Sequence, residues 1–114
     1  MKIDLYKAVI DYDEKFDLLS LRRPGLKTTF NLEAGNLVFD FTNRDFVGLE
    51  IQDASRWLSD LAGAGFNLSS LTNAKIGFQD KSNFMRLLLV LSFGSKQMEK
   101  ELIVQKFEPI AIPA

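Results

Sequence analysis

Glu50 is the residue whose type and neighbours best fit it for chemistry. It lies in FVGLEIQ (residues 46–52), where apolar and polar residues alternate as in a β-strand. This alternation puts Val47, Leu49 and Ile51 on one face, and Phe46, Gly48 and Glu50 on the other.

Gly48 should leave space beside Glu50, and a carboxylate in such a cleft could have a raised pKa and act as a general base. Alternatively, Gly48 lets a neighbouring backbone pack closely. Glu50 would then form an ordinary ion pair with one of three basic residues: Arg22, Arg44 or Arg56.

The segment DYDEKFD (residues 11–17) is a second candidate site. Hard cations such as Ca²⁺ prefer several carboxylate oxygens in one loop. The spacing does not match an EF-hand, and strand alternation would separate Asp17 from Asp11 and Asp13. We therefore name these three aspartates as candidate binding residues, with a solvated hairpin turn as the alternative, and predict no bound metal.

The chain contains no histidine and no cysteine, which limits its chemistry. Ser–His triads, Cys–His dyads, typical zinc sites and disulfides are excluded. An enzyme would have to rely on carboxylates, Lys, Tyr, Ser or Thr. A non-catalytic protein without a cofactor is therefore the main prediction.

Composition and charge narrow the class of protein further. The 114 residues are 46% hydrophobic with a net charge of −1, which predicts a single globular domain over residues 1–114. The basic residues are scattered, so we expect no nucleic-acid partner. We find no signal-peptide pattern and no apolar run of membrane-spanning length, which predicts a cytoplasmic protein without membrane contact.

Short β-prone segments separated by turn signals every ~8–12 residues predict an antiparallel meander. The predicted strands cover residues 2–12, 18–22, 27–33, 37–41, 46–52 and 75–80, with further strands after residue 83. Pro109 and Pro113 predict an extended tail.

One helix is predicted at about residues 53–63, because apolar residues recur there at helical spacing. Asp53 is expected to cap its N-terminus through its carboxylate, and Gly63 to end it. The fold class is therefore α+β: a mostly antiparallel meander of six to eight short strands with one helix.

FMRLLLVLSF (residues 84–93) is apolar on both faces. We predict a buried strand in a hairpin, with a helix as the alternative. If this strand lies in an open sheet, its second face needs a cover, and a second copy of the chain is the simplest one. We therefore predict a homodimer, with a closed monomeric β core as the alternative.

Three segments carry a resemblance to a known family: YDEKFDLLSL (12–21), VFDF (38–41) and VGLEIQDAS (47–55). Over about residues 9–62 the chain resembles the small prokaryotic family called domain of unknown function 2283. The resemblance implies a β-rich module with one helix and no established activity. It also implies that an antitoxin-like partnership with a small toxin protein is conceivable.

These observations leave the biological function open, with three hypotheses. The first is a non-catalytic protein–protein interaction or oligomerising module. The second is an antitoxin-like partner of another small protein. The third is a carboxylate-dependent enzyme or metal binder that uses Glu50.

Overall fold

The computed structural model describes residues 3–43, 45–63 and 65–105. In these ranges the chain forms nine strands and one α-helix, α1 (Ala54–Ala62), with a short 3₁₀ turn at Leu68–Ser70. The strands are β1 (Tyr6–Lys7), β2 (Val9–Asp13), β3 (Leu18–Arg22), β4 (Phe30–Ala34), β5 (Leu37–Thr42), β6 (Asp45–Ile51), β7 (Asn73–Asp80), β8 (Phe84–Phe93) and β9 (Lys96–Gln105). The predicted α+β class with a single helix is confirmed. The predicted first strand is divided into β1 and β2.

The strands form two antiparallel sheets, ordered β2-β3-β6-β5-β4 and β1-β7-β8-β9. Only Ala8 separates β1 from β2, so the N-terminal segment passes from one sheet to the other. At this crossing the Ala8 N–H donates to the Ala74 carbonyl oxygen at 2.8 Å. The tail that was predicted to be extended lies outside the described residues. None of the helices in the described ranges is both long and apolar enough to cross a membrane.

The hydrophobic core lies between the inner faces of the two sheets. Phe78 of β7 contacts three rings of the other sheet, with centroid distances of 4.5 Å to Phe46, 5.5 Å to Phe41 and 6.4 Å to Phe39. Residues 84–93, predicted as a strand with a helix as the alternative, form strand β8, which pairs with β7 and β9. Its alternate residues are buried in the core: Met85, Leu87, Leu89, Leu91 and Phe93.

The outer face of the four-stranded sheet receives part of its cover from the chain itself. A Cβ atom on Gly77 would lie 2.6 Å from Ile3 Cγ2 and 2.8 Å from the Asp4 carbonyl oxygen. Residues 3–5 therefore lie directly against β7 on this face. Because the other face packs against the five-stranded sheet, covering β8 does not by itself require a second copy.

A β-bulge in β6 changes the predicted assignment of faces. Across β5, Asp40 pairs with Gly48 and Phe41 with Phe46, so Val47 is an extra residue without a partner in β5. An extra residue shifts the alternation of side chains beyond it. Phe46 therefore points into the core beside Phe78, rather than to the face of Gly48 and Glu50 as predicted.

The N-terminus of α1 is capped by a residue far away in the sequence. Asp53 occupies the N-cap position with φ 55°, but its side chain makes no capping hydrogen bond. The Asp17 carboxylate instead accepts hydrogen bonds from the Ser55 N–H at 3.0 Å and the Ser55 hydroxyl at 2.6 Å. The Asp17 carbonyl oxygen accepts from the Ala54 N–H at 3.0 Å. The predicted cap position was correct, but the capping side chain was wrong.

Replacing each aspartate by glycine should separate the two roles. Both residues have positive φ (51° for Asp17 and 55° for Asp53), which glycine adopts without strain. Asp17→Gly should lower the free energy of unfolding by about 1–2 kcal/mol, because α1 loses its cap. Asp53→Gly should change it by less than about 0.5 kcal/mol, as expected for a surface substitution. Urea titrations measure both values, and equal losses would contradict the assignment of the cap to Asp17.

Candidate functional site

Glu50 has an acidic neighbour that sequence reasoning missed. On the outer face of the five-stranded sheet, Gly48 pairs with Arg22 of β3 on one side and with Asp40 of β5 on the other. Glu50 follows Gly48 by two residues on the same strand face. Asp40 and Glu50 are therefore diagonal neighbours on adjacent strands, with Arg22 on the far side of Gly48.

Gly48 allows strand β3 to approach β6 closely. A Cβ atom at this position would lie 2.4 Å from the Leu21 carbonyl oxygen, 2.8 Å from Arg22 Cα and 3.1 Å from Arg22 Cγ. The space left by the missing side chain is filled by β3, so Gly48 does not open a cleft beside Glu50.

Asp40 is the buried member of this carboxyl pair. Asp40 is only 2% exposed, and its Oδ2 atom is buried without a hydrogen-bond partner. The pKa of Asp40 is raised to about 6, mainly by burial and further by a hydrogen bond with Glu50 and by the negative charge of Glu50. The positive charge of Arg22 opposes this rise.

The arrangement can hold a proton. A hydrogen bond between two carboxyl groups requires a proton on one of them, and the raised pKa places this proton on Asp40 below about pH 6. Arg22 carries one positive charge beside the two carboxyl groups, and its Nη2 donates to Thr28 Oγ1 at 2.7 Å. In the described part of the chain, no group of three or more His, Cys, Asp or Glu side chains could hold a metal ion.

The three aspartates of the second candidate site have separate environments. Asp13 Oδ1 accepts the backbone N–H groups of Lys15 and Phe16 at 3.0 and 3.2 Å, which orders the β2–β3 turn. Asp17 caps α1. Asp11 pairs with Ser20, which pairs with Glu50 on its other side, so Asp11 lies two strands away from Glu50.

Asp17 also binds the hydroxyl of Tyr12, at 2.6 Å. This hydrogen bond is the main reason that the pKa of Tyr12 is raised to about 12, so Tyr12 stays protonated at neutral pH. The hydrogen bonds from Ser55 and Tyr12 outweigh the effect of burial and lower the pKa of Asp17. Tyr12, Asp17 and Ser55 thus join β2 and α1. The group that accepts from the Ser55 hydroxyl is the Asp17 carboxylate, and its lowered pKa makes it a weak base for activating Ser55 as a nucleophile.

The described residues form three surface cavities considered as binding sites, and Glu50 lines none of these three. The first, of about 420 Å³, lies beside α1 and is lined by Asn36, Asp53, Arg56, Trp57, Asp60 and Leu61. The second, of about 370 Å³, is lined by Tyr12, Ser55, Leu58, Gly65, Phe66, Asn67 and Leu68. The third, of about 230 Å³, is lined mostly by apolar side chains: Phe30, Leu32, Phe41, Asn43, Phe46, Phe78, Asp80 and Met85. We call this third cavity the β4 groove.

The β4 groove exposes side chains that belong to the core-facing side of the sheet. Phe30 and Leu32 of β4 pair with Phe41 and Phe39 of β5, which are buried. Phe30 is nevertheless 46% exposed and Leu32 47% exposed. The Phe30 ring stacks on Phe41 with centroids 5.1 Å apart, so its other face is free to contact a partner.

Comparisons with protein-family models, curated proteins and solved structures gave no match. The resemblance to domain of unknown function 2283 therefore stays a prediction. Arg44, one of the three basic residues considered as a partner of Glu50, lies outside the described residues. The geometry of the carboxyl pair and of the β4 groove is the basis for inferring function.

The carboxyl pair should make stability depend on pH. Because the folded-state pKa of Asp40, about 6, lies above its ordinary value of 3.8, the folded chain holds a proton that the unfolded chain releases. The stability due to this proton is complete below the ordinary value and is lost as the pH rises through about 6. The free energy of unfolding, measured by urea titration, should therefore fall between about pH 4 and about pH 6.5 and change little from this cause above that.

Asp40→Asn is the matching variant, because an amide is uncharged at every pH in this range and can donate to Glu50. It should be more stable than the unmodified chain at about pH 7.5 and should lose most of the pH dependence. Glu99→Gln, which removes an exposed carboxylate from strand β9, should leave the pH dependence in place. An unchanged slope in Asp40→Asn would contradict the assignment.

Proposed function

We propose that this chain is a non-catalytic protein-interaction module that self-associates as a homodimer. The observation that carries the proposal is the half-exposure of Phe30 and Leu32 on the core-facing side of β4. Apolar side chains that line a groove at the edge of a core gain free energy when a partner removes them from water. A second copy of the chain is the partner that is always present.

The geometry around Glu50 supports a non-catalytic role. Glu50 lies beside the buried carboxyl group of Asp40, and neither residue lines any of the three cavities described above. A general base must reach the proton that it removes from a bound substrate. The absence of histidine from the sequence supports the same conclusion.

Two of the edge strands, β9 and β4, differ in a way that points to β4. Strand β9 carries Lys100 opposite Leu89, whose side chain is buried in the core, and an inward-pointing charge is a common protection of a free sheet edge. Strand β4 contains neither lysine nor proline, and its core-facing side chains are apolar. Strand β4 is therefore the less protected of these two edges.

The lack of cysteine supports a reducing compartment such as the cytoplasm as the place of action. The resemblance to domain of unknown function 2283 supports a small prokaryotic module of the same kind.

The dimer can be tested by light scattering at micromolar concentration. The expected mass is twice the 12.9 kDa of one chain. Phe30→Ser should shift the equilibrium towards monomer, because it removes the largest apolar side chain that β4 exposes.

Phe16→Ser is the matched control. Phe16 is 70% exposed in the β2–β3 turn, away from the β4 groove, so this variant should keep the mass of the unmodified chain. A mass near 12.9 kDa for the unmodified chain would contradict self-association.

A further inference from the structure

We propose that the second copy pairs antiparallel with the free edge of β4, about a two-fold axis at Leu32, so that two five-stranded sheets become one continuous sheet. This inference rests on the proposed self-association and specifies its surface and its register.

Among the described strands β4 is the last of its sheet, and its free edge presents backbone groups in a known order. Gly35 and Asn36 form a two-residue turn between β4 and β5, with φ 62° at Gly35, and Ala34 pairs with Leu37 across it. In such a hairpin the residues next to the turn form a hydrogen-bonded pair, and hydrogen-bonded pairs then alternate along the ladder. The N–H and C=O groups of Asn31 and Glu33 therefore point away from β5, towards the free edge.

A two-fold axis at Leu32 places Asn31 of one copy opposite Glu33 of the other. Because the backbone groups of both residues point outward, this register forms about four hydrogen bonds between the chains. Leu32 then faces Leu32 of the second copy in a non-hydrogen-bonded pair, in which side chains approach most closely.

The side chains in this register complement each other. Phe30 faces Ala34 of the second copy, so a large side chain meets a small one on the core-facing side. On the outer face, the Asn31 amide can donate to the Glu33 carboxylate of the second copy. Cross-strand pairs of this kind stabilise antiparallel sheets.

Two neighbouring registers would also pair the outward-pointing backbone groups of β4, but their side-chain contacts are less favourable. An axis at Glu33 brings two glutamates directly opposite each other, and like charges in that position are destabilising. With an axis at Asn31, Ala34 has no partner in β4 of the second copy. Phe30 then lies opposite Leu32 of the second copy, so two bulky side chains meet. The register centred on Leu32 is the one that uses all five residues of β4.

Cross-linking through a single cysteine tests this register. The natural sequence contains no cysteine, so Leu32→Cys introduces the sole thiol. In a non-hydrogen-bonded antiparallel pair the Cα atoms are ~4.5 Å apart, which is within the range that a disulfide can bridge. Mild oxidation should convert most of Leu32→Cys into a covalent dimer. Ile103→Cys, at a 62% exposed position on the other edge strand β9, should form only a background amount.

A second variant tests the backbone pairing. Asn31→Pro removes an N–H group that points to the free edge and leaves the hydrogen bonds with β5 in place. It should raise the dimer dissociation constant by about tenfold or more, because it removes two symmetry-related hydrogen bonds at the interface. Asn31→Ala, which keeps the N–H group, should have a smaller effect.

The outcomes distinguish this inference from the proposed function. Efficient cross-linking of Leu32→Cys together with weaker dimers of Asn31→Pro supports β4 pairing. A dimer by light scattering without cross-linking at Leu32 overturns β4 pairing and leaves self-association standing. A monomer that cross-links at neither position overturns both.

Discussion

The close approach of β3 to β6 at Gly48 is the constraint on which the carboxyl pair and much of the core depend. A side chain at this position would meet the backbone of Leu21 and Arg22, so the two strands could not lie as they do. The approach sets Arg22 beside the pair formed by Asp40 and Glu50. The bulge at the next residue, Val47, turns Phe46 inward, where its ring stacks on Phe78 of the opposite sheet. Residues 46–50 of β6 thus contribute both to the carboxyl pair on the outer face of the five-stranded sheet and to the packing between the two sheets.

Two carboxyl groups of this fold respond to pH in opposite directions. The hydrogen bonds from Ser55 and Tyr12 favour the charged form of Asp17, so acid weakens the cap of α1. Burial and the charge of Glu50 favour the neutral form of Asp40, so alkali weakens the packing around β5. These two groups therefore both favour the folded state at pH values between the titration of Asp17 and that of Asp40. At neutral pH it carries a buried carboxylate that only Arg22 partly compensates.

Local patterns in the sequence were enough to predict the elements but not their partners. The α+β class, the helix after Asp53 and the strand at residues 84–93 follow from periodicity, turn residues and length, which act over short distances in the chain. Asp40 was missed as the neighbour of Glu50, because the two meet only through the register of β5 and β6. The cap from Asp17 to Ser55 joins residues that are far apart in sequence. The bulge at Val47 cannot be recognised from the sequence, because residues 46–52 alternate as in a regular strand.

Strand order explains why the surface that needs a partner is an edge rather than a face. The sequence indicated that β8 needs a cover on both faces; in the fold the opposite sheet covers its core-facing side, and on the other side residues 3–5 lie against the neighbouring strand β7. The chain leaves β3 through the loop at residues 23–29 and enters β4, which lies three places away in the sheet order. This connection makes β4 the last strand of a five-stranded sheet that faces a sheet of only four strands, one of which has two residues. The narrower sheet leaves Phe30 and Leu32 half exposed, although their pattern is that of core residues, and none of the strands in the described residues pairs with the outer edge of β4. Apolar side chains and free backbone groups occur together on β4, and a strand added from another chain would bury the first and hydrogen-bond the second.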